Sequence, residues 1–314
     1  MVLVSSATES SLRLDQWLSL AFFSLVLLAQ GIVVQVPTEY LQLTIVPQLG
    51  MSPIPLHTQQ DSEVAFPQLS AESYVVVDVE SATLLAEKNP DAALYPASTT
   101  KLVTALLAAE TFDPDETWQL NAEEMIEQST TGLQIGDKVS VRSLMAALLI
   151  ESDNAAAEIF AHRYPGGRQA FISAMEHYAQ TKQLSHTQFR NPAGFDDPLQ
   201  QLSAIDLVIL AREVMKVPWL LELTSFSQAK IELTRKGQII QLSLVNTNKL
   251  LNSPLGIKGI KTGTTPAAGE VLVSLIENKE HPLLVVVMGS QNRFSDTRQI
   301  LQWVQATYSW QTIQ

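Results

Sequence analysis

Three short motifs follow one another along this chain: Ser98-Thr99-Thr100-Lys101, Ser152-Asp153-Asn154 and Lys261-Thr262-Gly263-Thr264. A serine hydroxyl is a weak nucleophile until a base takes its proton, and a lysine amine serves as that base only when burial or a neighbouring cation lowers its pKa. Ser98 and Lys101 stand three apart at the start of a stretch patterned as a helix, so they share one face and the hydroxyl lies within reach of the amine. Lys261 would supply the neighbouring cation, and the helix N-terminus a positive end beneath a developing oxyanion. Ser152 suits a hydroxyl bridge between Lys101 and Lys261 that passes a proton to a leaving amine, and the Asn154 carboxamide suits a substrate amide. Lys261 and Thr262 would receive a carboxylate. Gly263 lets a ligand backbone approach closely, and the Thr264 N–H would join that of Ser98 in an oxyanion hole. Together these residues supply a nucleophile, a base, a proton relay and a clamp for acyl transfer.

Each motif also has a plainer reading. An isolated S-x-x-K is usually a capping serine and a solvated lysine, Ser, Asp and Asn are favoured helix caps, and K-T-G can be a strand ending in a turn. Stray copies occur in this chain. Ser227-Gln228-Ala229-Lys230 falls in a strand-patterned region, where residues three apart point to opposite faces, and Ser290-Gln291-Asn292 lies out of order. What favours chemistry is the set of three in order, each on a suitable helix, junction or strand. There is no G-x-S-x-G elbow, P-loop or G-x-G-x-x-G. The chain has no cysteine and its five histidines are scattered without an H-E-x-x-H pair, so neither a metal nor a cofactor is expected.

The elements that must hold these groups can be read from periodicity. Residues 74–79 and 83–87 pattern as a strand pair, and 98–109 as a helix apolar nearly all round, which belongs in the interior. Short strand-like pieces follow at 118–120 and 133–141, then helices at 142–150, 155–162, 168–180 and 203–216. After Pro218 the pattern returns to strands at 229–233, 239–245, 257–262, 271–277 and 283–288, and a helix at 296–308 comes last. Strands at both ends around a run of helices predict an α+β fold: one antiparallel sheet flanked by helices, with an inserted, mostly helical lobe and a cleft between lobe and sheet.

Composition sets the outer bounds. A chain of 314 residues, 46% hydrophobic and 17% charged, is globular, and a net charge of −12 without a basic stripe argues against a nucleic-acid partner. Residues 17–36 are apolar for about the length that spans a bilayer, so 1–36 reads as a segment carrying a transmembrane anchor or a signal peptide. Arg13 precedes it and the next basic residue is Lys88, which puts the body outside the cytoplasm. Residues 37–70, with five prolines among Gln, Ser and Thr, read as an extended tether, leaving 71–314 as the catalytic domain.

Beyond the three motifs, longer stretches fit one pattern: Tyr95-Pro96-Ala97-Ser98-Thr99-Thr100-Lys101-Leu102, residues 148–154, Asn191-Pro192-Ala193-Gly194-Phe195-Asp196-Asp197, Asn246-Thr247-Asn248-Lys249-Leu250-Leu251, and Gly259-Ile260-Lys261-Thr262-Gly263-Thr264 through Gly269. From about Tyr74 to the last helix the chain resembles the serine D-alanyl-D-alanine carboxypeptidases, the low-molecular-mass penicillin-binding proteins. That resemblance implies removal of the terminal D-Ala from peptidoglycan stem peptides through an acyl-enzyme on Ser98, with β-lactam antibiotics as inhibitors acylating the same serine. It also implies a place in the cell envelope, with the N-terminal segment as membrane attachment. Gln200 and Leu202 depart from the family's usual residues after the Asn-Pro-x-Gly stretch, which bears on substrate handling. Two rivals stand beside this expectation. A class A β-lactamase would need a carboxylate for deacylation, yet residues 189–195 hold no Glu. A catalytically idle wall-binding protein of the same fold would not need complete motifs.

Overall fold

The computed structural model describes residues 54–57, 64–125, 129–277 and 281–311. The apolar segment 17–36 and most of the expected tether lie outside the described residues. Among the described residues no helix is long and apolar enough to cross a membrane.

The fold is α+β. Its centre is an antiparallel five-stranded sheet in the order β3 (Leu84–Lys88), β2 (Ser73–Asp78), β10 (Leu283–Ser290), β9 (Gly269–Ile276), β8 (Ile257–Thr265). Strands β2, β9 and β10 are near-continuous apolar runs rich in valine because both sheet faces are covered. On one face Tyr74, Val76, Leu272, Val285 and Val287 pack with Ile300, Leu301 and Val304 of the last helix, α7 (Arg293–Thr307). On the other, Val75, Val273, Leu284, Val286 and Met288 pack with α1 (Lys101–Thr111) and α5 (Ala204–Met215). Helix α1 is buried from Lys101 through Ala108, as its all-round apolar pattern predicts.

The lobe between β3 and β8 departs from the expected single sheet. It holds α2 (Val141–Ala146), α3 (Asn154–Arg163) and α4 (Gly167–Thr181) together with its own antiparallel sheet, β4 (Thr117–Gln119), β5 (Lys138–Ser140), β6 (Gln228–Arg235) and β7 (Gln238–Val245). The physical reason is visible in β6, which alternates exposed Gln228, Lys230 and Glu232 with buried Ile231 and Leu233. Such a strand suits a sheet wet on one side and not the doubly covered centre. Residues Pro218–Ser225 form a helix, α6, in a stretch to which the sequence reading assigned no element. Proline stands at its first turn, where a missing N–H costs nothing.

Part of the stretch expected to run as a tether is built into the body. Residues Ile54–His57, β1, pair with β11 (Tyr308–Gln311), which follows α7 and begins at the last residue of the expected helix. Phe66 stacks on Tyr74 at a ring separation of 5.1 Å and meets Trp303 edge-on at 4.8 Å.

Candidate active site

The nucleophile motif begins in a single 3-10 turn, Ala97–Thr100, that leads into α1. Side chains three apart eclipse one another in 3-10 geometry, and Lys101 lies directly over Ser98. Its Nζ donates to Asn154 Oδ1 at 2.7 Å and to the Ala193 carbonyl at 2.7 Å, and lies 2.9 Å from Ser98 Oγ. Lys101 is fully buried. Burial pushes its pKa down to about 7, while the carboxylates of Asp153 and Glu158 act weakly the other way. Ser98 is only half-buried, so a substrate can reach the hydroxyl from the open side.

The second motif sits at a junction shaped by two irregularities. The last residues of the helix that opens as α2, Ala147–Glu151, widen into a π turn, and Ser152 follows in the left-handed region at φ 64°. Asp153 then caps α3. Its Oδ1 accepts from Ala156 N at 3.1 Å, and its Oδ2 accepts from Ser129 Oγ at 2.5 Å, Thr131 Oγ1 at 2.8 Å and Thr131 N at 3.0 Å. Asp153 therefore fixes the turn, and Asn154, the first residue of α3, is aimed at Lys101. Ser152 Oγ is buried with no hydrogen-bond partner among the described residues, which leaves its donor and acceptor capacity open.

The third motif lies on β8, the edge strand of the central sheet. A Cβ placed on Gly263 would stand 2.8 Å from Ala97 Cβ and 2.9 Å from Ser98 N, so only glycine lets this strand lie against the nucleophile turn. Lys261 is 2% exposed, and its Nζ donates to the Thr262 carbonyl at 3.2 Å. Its pKa is driven well below the usual lysine value, first by burial and then by the positive charges of Lys101 and Arg293. Two buried amines close enough to feel each other do not readily both stay protonated. Thr262 Oγ1 and Thr247 Oγ1 are 2.5 Å apart, and Arg293, at the start of α7, donates to the Gly263 carbonyl at 2.6 Å and contacts the Thr264 hydroxyl.

Ser98, Lys101 and Asn154 are thus joined by direct hydrogen bonds, Gly263 packs on the turn that carries Ser98, and Lys261 lies within electrostatic reach of Lys101. The stray copies serve elsewhere. Lys230 is exposed on β6, and Asn292 caps α7 while Ser290 Oγ donates to Asp296 at 2.7 Å. The sequence reading missed four participants: the Ala193 carbonyl, Asp153 as the anchor of the second motif, Thr247 against Thr262, and Arg293 behind β8. A backbone carbonyl carries no side-chain signal, and Arg293 lies 30 residues beyond Gly263 with nothing in its own neighbourhood to mark it. Gln200 and Leu202, the two departures from the family pattern, are both buried. Among the described residues no group of three or more His, Cys, Asp or Glu converges as a metal site.

An antiparallel sheet between helices, with a serine–lysine pair at its edge and a second lobe closing over it, defines the class of DD-peptidase folds. The chain belongs to the D-alanyl-D-alanine carboxypeptidase family of S11 peptidases, whose pattern matches residues 59–292. It is 29% identical over 260 residues to the D-alanyl-D-alanine carboxypeptidase DacC of Escherichia coli K12, covering 77% of this chain and 63% of the relative. It is also 29% identical over 279 residues to a D-alanyl-D-alanine endopeptidase of Pseudomonas aeruginosa, covering 85% and 86%. Among solved structures, the Streptomyces K15 DD-transpeptidase superposes with a TM-score of 0.74 at 26% identity, over 77% of this chain and 100% of that one. The chain spans less than two thirds of the length of the first carboxypeptidase relatives, 63% and 65%.

Proposed function

We propose that this chain is a serine D-alanyl-D-alanine carboxypeptidase that removes the terminal D-Ala of peptidoglycan stem peptides through an ester on Ser98. The observation that carries this reading is the state of Lys101: a fully buried amine, its pKa lowered to about 7, hydrogen-bonded to the hydroxyl it must deprotonate. Neutral Lys101 takes the Ser98 proton as Oγ attacks the carbonyl carbon of the penultimate D-Ala. The oxyanion settles against the N–H groups of Ser98 and Thr264, and the substrate carboxylate faces Lys261 and Thr262 with Arg293 behind them. When the C–N bond breaks, the proton held by Lys101 passes through Ser152 to the leaving amine, and Lys101 returns to its neutral form. Water then attacks the ester, and the proton it gives up restores the Ser98 hydroxyl. The exposed edge of β8 suits pairing with an extended peptide.

A β-lactam would acylate the same serine and persist. The loop at 189–195, where a class A β-lactamase would need its deacylating glutamate, offers the Lys101 amine a backbone carbonyl instead. The N-terminal segment 17–36 serves in this reading as the membrane attachment, with the catalytic body in the cell envelope outside the cytoplasm. The test is mass spectrometry after exposure to a fluorescent penicillin, alongside an assay for D-Ala release from a D-Ala-D-Ala-terminated peptide. A lasting adduct on Ser98 together with D-Ala release is expected. Rapid turnover of penicillin to penicilloate would replace the carboxypeptidase by a β-lactamase, and an unlabelled Ser98 would remove the chemistry altogether.

A further inference from the structure

We infer that Gln200, a buried side chain behind the site, is a positioning residue that aims the Lys101 lone pair at Ser98 by locking the loop that carries Ala193. This deepens the proposed acyl transfer and rests on it. A neutral amine has two N–H donors and one lone pair. Three atoms surround Lys101 Nζ: Asn154 Oδ1 and the Ala193 carbonyl, each at 2.7 Å, and Ser98 Oγ at 2.9 Å. With the two N–H groups committed to Asn154 and Ala193, the lone pair faces the Ser98 hydroxyl, as a general base requires. Asn154 is held by the start of α3. Ala193 belongs to no helix or strand, so something else must hold its carbonyl in place.

Gln200 does so. It is 1% exposed, and its Oε1 accepts from Arg190 N and Asn191 N at 2.8 Å each. Its Nε2 donates to Thr100 Oγ1 at 3.3 Å, between Ser98 and Lys101 in sequence, and lies 3.5 Å from Asn191 Oδ1. Asn191 carries the restraint forward: its Oδ1 accepts from Gly194 N at 2.7 Å and Phe195 N at 2.9 Å, closing a turn over Ala193. Thr104 Oγ1 of α1 adds a bond to the Pro192 carbonyl at 2.7 Å. Gly194, at φ 90°, presses on the same turn; a Cβ there would overlap the Ala97 carbonyl at 1.8 Å. One carboxamide therefore ties the nucleophile turn to the loop that orients the base. The task needs an acceptor and a donor on one buried side chain, which a carboxamide has and neither a carboxylate nor a thioether provides.

The charged groups that face the Lys101 amine are Asp153 and Glu158 from the α3 side and Lys261 from β8. A carboxylate at position 200 would add a negative charge nearby and favour protonated Lys101. Two variants separate orientation from packing. Gln200→Met keeps the volume and removes both hydrogen-bonding functions, whereas Gln200→Glu keeps the acceptor for Arg190 N and Asn191 N. The readouts are the first-order acylation step and the dissociation constant for a fluorescent penicillin across pH, with the thermal midpoint as control. Gln200→Met is expected to lower the acylation step about tenfold or more with the dissociation constant unchanged. Gln200→Glu is expected to recover most of the rate at high pH while moving the acidic limb upward. Wild-type acylation in Gln200→Met, or a loss confined to the thermal midpoint, would overturn the inference. If Gln200→Met does not fold, a Gln200→Glu variant, which loses the donor to Thr100, that acylates like the wild type at every pH overturns it alone. A wild-type protein that leaves Ser98 unlabelled would instead overturn the acyl-transfer reading beneath it.

Discussion

Lys101 and Lys230 each follow a serine by three positions, yet the molecule treats them oppositely. Lys101 follows a 3-10 turn into the interior, is fully buried and makes three hydrogen bonds. Lys230 lies on β6, whose alternation sends it to solvent, away from Ser227. The letters S-x-x-K are identical in spelling, and only the setting suits one lysine to the proposed role of base: a helix start that eclipses the pair, and a burial site that withdraws water from the ammonium. Reactivity here is a property of desolvation and orientation before it is a property of residue type.

The largest test of this contrast is removal of each serine. Ser98→Ala should abolish the penicillin adduct and D-Ala release, whereas Ser227→Ala should leave both unchanged; equal labelling of the two variants, read by mass spectrometry, would erase the distinction. Next come the lysines. Lys101→Ala should slow acylation by ~10²-fold or more, as loss of a general base does, while Lys230→Ala should keep the wild-type rate and shift stability by no more than about 0.5 kcal/mol. Gly263→Ala probes the close approach of β8 to the nucleophile turn, since its Cβ would meet Ser98 N at 2.9 Å. Displacing the strand should cost roughly tenfold in acylation, measured by stopped-flow fluorescence. The smallest effect is in pH. Lys101 must be neutral to accept a proton, so with a pKa of about 7 the acylation rate should climb through neutrality and fall about tenfold for each unit below it. A limb centred near 10 would mean that burial does not set the base.

How much of this was legible in the sequence depends on whether a feature is local. The interior helix α1 could be read because no polar face interrupts it, and the β2–β3 hairpin because a β-branched run is followed by a turn. The motif residues could be read because their types and order carry chemistry. What escaped is tertiary. Strands β4 and β5 overlap the strand-like pieces read at 118–120 and 133–141, but three residues each are too few to name a partner, so the lobe's separate sheet became visible only through its pairing with β6. Pro218 reads as a breaker, although at a first turn it opens a helix. The pairing of β1 with β11 joins residues more than 250 positions apart. The grip on Lys101 by Ala193, and the brace from Gln200 behind it, run through backbone groups on which composition and spacing are silent.

Ser152 holds its left-handed backbone without being glycine, a conformation that costs roughly 1–2 kcal/mol for a residue with a Cβ. The protein therefore carries a thermodynamic debt at the residue proposed to hand a proton to the leaving amine. Ser152→Gly should relieve it, so that the variant lacking the proposed relay melts at a higher temperature than the wild type, and calorimetry reads the difference as a shift of the melting midpoint.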